Sequence, residues 1–412
     1  MKIWIINPYG NIPGEGWSPY RATFLAMAAA GMGHEVTWWV ANFEHRSKRF
    51  RSKGWQRIKI CPGFQINIVP STEYKGHISI KRIQFERNFA RNLVRQALVE
   101  KDRPDAIVHA EPALFITDIT GDLSRKLSSK LIIDVLDLWP ELFAIKIPSI
   151  FNRIEGFLLA PAYARRKMFF KKADGIIAVT RDYQEKIIQI SPGTPNALVY
   201  CGVDTSAFKA KPDCIDSKFV FEIQKQHDEV LGVYAGTLGE NYDIPTVLDA
   251  MDLIGRGSTR VRILIAGDGP LKQMVERRIK NSKFKNVKYL GRIDIKDLVS
   301  IYNLCDFAIS SYVKKSTVSM PLKAFDYLAA ELPIVNSLNG DIGRIILENS
   351  VGIQYESQNA LSMFKAFDEI ANNHILRQRL KLNSKKVALE FDWRNQYPKA
   401  VEFIEKIASA KK

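Results

Sequence analysis

The chain has 412 residues, too many for one hydrophobic core, and at about 100–200 residues per domain it divides into two or three domains. With 46% hydrophobic and 25% charged residues it is globular, and no apolar run approaches the ~20 residues that would cross a bilayer. The net charge of +16 is uneven: residues 1–200 hold 29 Lys and Arg against 18 Asp and Glu, which points to a polyanionic partner or to a plain solvated basic surface.

In chain order, Met1–Pro8 is too short an apolar stretch for a signal peptide and reads as a first strand over 2–6. The loop 7–18 carries Gly10, Gly14 and Gly16, whose open backbone lets amides approach a phosphate or a sugar. It departs from G-x-G-x-x-G, and an ordinary turn is the alternative. A helix over 18–30 is expected to open with Ser18-Pro19 and to end at Gly31-Met32-Gly33. Further strands are expected at 35–40, 106–109, 131–135, 175–179 and 197–200. Trp38 and Trp39 read as core and neighbouring surface, and His34 and His109 as packed or turn histidines. Basic and apolar residues interleave at 46–59 and 153–172, a pattern that suits a helix lying on an anionic leaflet or a core helix with a charged outer face.

The stretch 209–228 is polar, contains Pro212 and reads as an interdomain linker. Beyond it the alternation restarts, with strands at 230–235, 261–266, 287–290, 307–310, 334–336 and 352–355 and helices at 244–254, 270–279, 297–303 and 321–330. A last amphipathic segment, 393–407, can return to the first domain. The pattern is α/β, with two Rossmann-like domains in tandem and a ligand expected at the carboxyl ends of the strands. The domains run 1–205, 206–392 and, for the returning helix, 393–412. Four scattered cysteines (Cys61, Cys201, Cys214, Cys305) form no C-x-x-C pair and read as reduced thiols of a cytoplasmic protein.

Chemistry concentrates in the second half. Gly236-Thr237 through Asn241-Tyr242, Gly267, and Gly291-Arg292 end three successive strands, and open backbone in that register forms a rim for a nucleotide. Next comes Ser319-Met320-Pro321-Leu322-Lys323-Ala324-Phe325-Asp326. Read as a helix N-terminus, its first amides and Ser319 can hold a diphosphate, and Lys323 supplies a countercharge. Asp326, three residues on, shares a face with Lys323 and suits ribose hydroxyls; a surface Lys–Asp pair is the alternative.

These elements in this order resemble the family-four retaining glycosyltransferases of GT-B fold, over nearly the whole chain. Cys201-Gly202-Val203-Asp204 with Phe208 is similar to that family's Asn-Gly-Val-Asp-x-x-x-Phe hinge motif. Leu136-Asp137-Leu138-Trp139-Pro140-Glu141 is similar to the Asp-Leu-Trp-Pro-Glu stretch of the branch that builds lipopolysaccharide, capsule and exopolysaccharide repeat units. The resemblance implies two Rossmann-like domains facing each other across a cleft and transfer of a hexosyl or N-acetylhexosaminyl group from a nucleotide-sugar, UDP before GDP, with retention. It implies donor contacts from Gly16, Gly236, Thr237, Asn241, Tyr242, Gly267, Arg292, Ser319, Met320, Pro321, Leu322, Lys323 and Asp326. Acceptor contacts fall to Gly14, Arg21, His109, Glu111 and Asp137, and catalytic roles to Lys323, Asp137 and Glu111. Of the family's E-x7-E pair the second falls on Asp326 and the first on Val318; Thr237 and Tyr242 stand where relatives place Arg and Lys, and Leu136 where they place His.

No D-x-D triplet occurs, so no metal cofactor is expected to hold the diphosphate, and the leaving charge falls to Lys323 and helix amides. The donor β-phosphate is the expected acceptor of the proton. A lipid-linked or membrane glycan acceptor accounts for the positive charge and places the protein peripherally on the inner face of the plasma membrane. Nucleic-acid binding lacks an aromatic RNP-like sheet or zinc spacing. A catalytically silent, partner- or glycan-binding form stays as the second reading, on the strength of Val318, Thr237 and Leu136.

Overall fold

Strands made of Ile, Val, Leu and Trp with no polar alternation must be covered on both faces, as in a parallel sheet between helix layers. The computed structural model describes residues 1–16, 19–76, 79–111, 113, 115–141, 155–209, 218–257 and 260–410. It divides into two units, Met1–Cys201 with Trp393–Lys412, and Gly202–Asp392.

The first unit contains β1 (Lys2–Ile6), β2 (Glu35–Ala41), β3 (Phe43–Glu44), β4 (Arg49–Phe50), β5 (Gln56–Cys61), β6 (Phe64–Val69), β7 (Ala106–Glu111), β8 (Lys130–Val135), β9 (Gly175–Ala178) and β10 (Asn196–Leu198). Eight form one sheet in the order β10-β9-β8-β7-β1-β2-β6-β5, parallel except for the antiparallel edge pair β5–β6. From β6 through β9 this is the doubly wound order, with the reversal between β1 and β7. One face is covered by the helices Arg21–Gly31 and Trp393–Ser409, where Phe24 stacks on Trp393 at 5.4 Å. The helices Ile80–Val99 and Thr117–Lys126 contribute Phe85, Phe89, Leu93 and Leu123 to the core on the other face.

The second unit contains β11 (Val230–Ala235), β12 (Val261–Ala266), β13 (Val287–Gly291), β14 (Phe307–Ser310), β15 (Ile334–Asn336) and β16 (Gly352–Gln354). Their order, β13-β12-β11-β14-β15-β16, is parallel throughout and doubly wound again, with the reversal between β11 and β14. The β11–β14 pairing covers only Gly232↔Phe307 and Val233↔Ala308, so the strand ends beyond it need another partner. Tyr327 supplies it. Its buried hydroxyl accepts from the Ala235 amide at 3.0 Å and lies 3.3 Å from the carbonyls of Ala235 and Ile309, which fastens the helix Leu322–Ala329 to the switch point. Tyr327→Phe is expected to cost the second unit about 1–3 kcal/mol by orphaning these groups, as read by chemical denaturation.

Most expected strands lie where the sequence placed them, and several features differ. The first helix begins at Arg21, with Tyr20 at the N-cap and no side-chain cap; Ser18 lies outside the described residues. The run 46–59 is no surface helix: Arg49–Phe50 and Gln56–Cys61 are strands, and the Arg51 guanidinium donates to Glu15 and to the carbonyls of Gly10 and Ala41. That ion pair holds the loop after β1 in place. The part of the 209–228 stretch that is described includes a helix, Lys218–Ile223. Cys61, Cys201 and Cys305 are free thiols, and Cys214 lies outside the described residues.

Candidate functional site

The centre of the second unit's site is Lys323, in the first turn of the helix Leu322–Ala329. Its Nζ is buried, has no hydrogen-bond partner, and sits 4.1, 4.7 and 4.9 Å from the ring centres of Tyr234, Tyr242 and Tyr312. Tyr234 is on β11, Tyr242 in the loop after it, and Tyr312 just beyond β14. The ammonium therefore lies at the sheet's point of reversal, where open α/β sheets bind ligands. Aromatic faces attract a cation, yet they leave its three N–H groups without ordinary acceptors. Burial lowers the Lys323 pKa to about 7 and raises that of Asp326 to about 7. Among the described residues no ion pair joins the two, so the surface-pair alternative fails: each side chain is held apart in its own dry surroundings.

Around this group the expected donor residues separate. Gly236 is exposed at φ +148°, and a Cβ there would stand 3.6 Å from Lys323 Nζ, so open backbone does face the ammonium. Thr237 is exposed, and its carbonyl accepts from the Tyr234 hydroxyl at 2.7 Å. Asn241 is half-buried, with its carbonyl taken by the Val313 amide. Gly267 has a different reason to be glycine: at φ +151° a Cβ would fall 1.8 Å from the Gly236 carbonyl oxygen, so the neighbouring strand end fills that space. Arg292 and Leu322 are exposed, while Met320 and Pro321 are buried. Ser319 does not serve as an open helix cap. Its Oγ accepts from the Asp341 amide and its carbonyl from the Ile342 amide, both at 3.0 Å, which ties it to the helix Asp341–Asn349. The amides of Leu322 and Lys323 head their own helix, where no intrahelical carbonyl reaches them.

In the first unit, Glu111 ends β7 beside the β1–β7 reversal. It is 2% exposed, its Oε2 has no partner, and burial raises its pKa to about 8, with Arg166 opposing and Glu141 and Asp137 adding to the rise. Asp137, two residues past β8, is also shifted upward by burial. The structure thus brings Glu111 and Asp137 close enough to repel, and Glu111 is protonated at neutral pH. Arg166 donates twice to Glu141, at 2.5 and 2.9 Å, and once to the Trp139 carbonyl. Gly14 and Gly16 are exposed on the loop after β1.

Two acceptor assignments are corrected. Arg21 is 2% exposed and donates to Asp134 at 2.6, 2.9 and 3.2 Å and to the carbonyls of Val199 and Tyr200. With these bonds made it is a core bracket joining the first helix to β8 and to the chain beyond β10. His109 is fully buried, edge-on to Phe169 and 3.4 Å from Thr117 Oγ1; burial lowers its pKa to about 3, so it is neutral. Sequence reasoning missed Tyr234, Tyr312 and Tyr327, whose grouping at the switch point no local pattern signals. It also missed Arg82, whose Nε donates to Tyr9 Oη at 3.1 Å.

Within the basic run 153–172, the helix Glu155–Lys172 leaves Phe157 83% and Leu158 53% exposed, with Lys167, Lys171 and Lys172 exposed further on. Arg165 and Arg166 are paired with Asp118 and Glu141. Among the described residues no helix is long and apolar enough to cross a membrane.

A family model described as Glycosyl transferases group 1 matches residues 216–387. The chain is similar to an uncharacterized glycosyltransferase of Methanocaldococcus jannaschii, 22% identical over 171 residues, which are 42% of this chain and 46% of that protein. It is also similar to chitobiosyldiphosphodolichol beta-mannosyltransferases. That of Debaryomyces hansenii is 22% identical over 68% of this chain and 63% of the relative, and that of Candida glabrata 20% identical over 88% and 87%. The chain spans less than two thirds of the length of the first two relatives. Among solved structures, sucrose-phosphate synthase from Thermosynechococcus elongatus superposes with TM-score 0.72 at 16% identity, covering 100% of both chains. Anabaena HepE in complex with UDP and glucose gives 0.68 at 14%, covering 98% of this chain and 100% of that one. WaaG, a glycosyltransferase involved in lipopolysaccharide biosynthesis, gives 0.64 at 11%, covering 98% and 99%. At these identities the structural likeness concerns the fold alone. Residues 216–387 are thus similar to the Glycosyl transferases group 1 family, and the chain, doubly wound in both units, has the GT-B fold of these solved structures.

Proposed function

We propose that this protein is a glycosyltransferase that moves a sugar from a nucleotide-sugar, UDP-linked before GDP-linked, to a lipid-linked or membrane-bound glycan in the making of a cell-surface polysaccharide. One observation carries the reading: a buried, unpartnered ammonium, Lys323, at the switch point of the second unit, beside exposed glycine backbone. A departing diphosphate needs such a group, because charge that develops in a dry site is met best by donors already in place. The amides of Leu322 and Lys323 add to it, and Asp326 takes the ribose hydroxyls. The donor's β-phosphate oxygen accepts the acceptor's proton, the sugar keeps its anomeric configuration, and no metal takes part. Glu111, protonated at neutral pH, is a hydrogen-bond donor to the acceptor rather than a base, and Asp137 is its neighbour there. The relatives named for diphosphodolichol-linked chitobiose and the UDP complex of HepE support the acceptor and donor classes. The excess basic charge of residues 1–200 and the exposed Phe157 and Leu158 support a peripheral position on the cytoplasmic leaflet.

Calorimetric titration with UDP and GDP, run beside transfer assays on lipid-linked acceptors, tests the reading, and NMR of the product reports the anomer. Asp326→Asn is expected to weaken nucleotide affinity roughly 10- to 150-fold, the range for a hydrogen bond to a charged group, with the fold unchanged by circular dichroism. Tight nucleotide binding with no transfer to any such acceptor points instead to the silent, glycan-binding form.

A further inference from the structure

As an ammonium Lys323 has three N–H donors, and among the described residues none of them meets a hydrogen-bond acceptor. The groups packed against it come from three elements. Tyr234 on β11 gives its hydroxyl proton to the Thr237 carbonyl, and the phenols of Tyr234, Tyr242 and Tyr312 are all shifted above their ordinary range by burial, so none can ionise to balance a cation. Asp243, which caps the helix Ile244–Ile254, is spent on the amides of Thr246 and Gln358. Asp326 on the same helix forms no ion pair with Lys323 and is itself pushed toward its neutral form. Three aromatic faces within 5 Å favour the ammonium, and loss of water opposes it. Desolvation prevails, so above neutrality the resting group is the amine.

A diphosphate changes this balance, because its oxygens offer the acceptors and the negative charge that the tyrosines lack. We propose that binding of a nucleoside diphosphate carries a proton from solvent onto Lys323 Nζ, so that donor affinity falls as pH rises above neutrality. The inference rests on the donor-site reading above. The nitrogen lone pair takes the proton, and the resulting N–H groups donate to phosphate oxygens. Asp326 runs the other way, losing a proton as its carboxylate takes up ribose hydroxyls, so the contribution of Lys323 must be isolated.

The experiment is calorimetric titration with UDP at pH 8 in buffers of different ionisation enthalpy, comparing the wild type with Lys323→Arg. Arginine stays charged throughout, keeps the phosphate contact and cannot take up a proton. The wild type is expected to absorb up to about one proton more than the variant, and its Kd to rise by up to about tenfold per pH unit from pH 7.5 to 9 where the variant's stays flat. Equal proton uptake in both, with UDP bound by both, overturns the coupling and leaves the donor site standing. Failure of UDP and GDP to bind the wild type at all overturns the donor site and the coupling together. Should the arginine variant unfold, the wild-type Kd decides alone: a flat profile from pH 7.5 to 9 overturns the coupling.

Discussion

Lys323→Met lowers sugar transfer by about 10²- to 10³-fold while the second unit stays folded, the expected result of removing one preorganised donor from a developing anion. Methionine keeps the length of the stem and its packing against Tyr234, Tyr242 and Tyr312, so the loss isolates the charge. Stability gives an independent check whose sign is fixed. The folded-state pKa of about 7 lies below the ordinary lysine value of 10.5, so between these limits the unfolded chain binds the extra proton. Wild-type stability therefore rises with pH from 7 to about 10.5 relative to the methionine variant, and below pH 7 the variant is the more stable of the two. Urea denaturation of both proteins at pH 6.5, 8 and 10 reads this difference. A wild type more stable than the variant at pH 6.5 means that the tyrosine rings hold the ammonium better than desolvation penalises it.

The largest stability effect belongs to the first unit. Arg21→Met removes the cation from a fully enclosed pair, leaving the Asp134 carboxylate and the Val199 and Tyr200 carbonyls without their donors. Breaking a buried pair from one side costs about 3–5 kcal/mol. For a unit of this size that lowers Tm by roughly 6–20 °C, at about 2–4 °C per kcal/mol. The double variant Arg21→Met with Asp134→Leu is expected to recover most of the loss, because no buried charge then lacks a partner. A single variant that melts within a degree or two of the wild type contradicts the bracket assigned to Arg21.

How far the sequence could be read depended on how local each signal was. The strands of the second half stood out because runs such as Val230–Ala235 are apolar at every position and end in glycine. In the first half, Gln56–Cys61 alternates weakly and is rich in basic residues, so an edge strand resembled a membrane-facing helix. The helix Ile80–Val99 carries five basic residues on a thin apolar stripe and gave little signal. Lys323 and Asp326 were visible as a spacing, and their separate dry environments were not.

Residue order alone determined the α/β class, the tandem doubly wound pattern and the place of the glycine-bearing strand ends, because hydrophobic period and turn chemistry are local properties of the chain. Only the tertiary structure decided what each polar group does. Arg21 became a core residue, Ser319 a tie to the next helix, and Lys323 an unpaired amine among tyrosines drawn from β11, the loop after it and the segment after β14. The physical reason is that charge state and reactivity are set by desolvation and by neighbours distant in sequence, which no local pattern encodes.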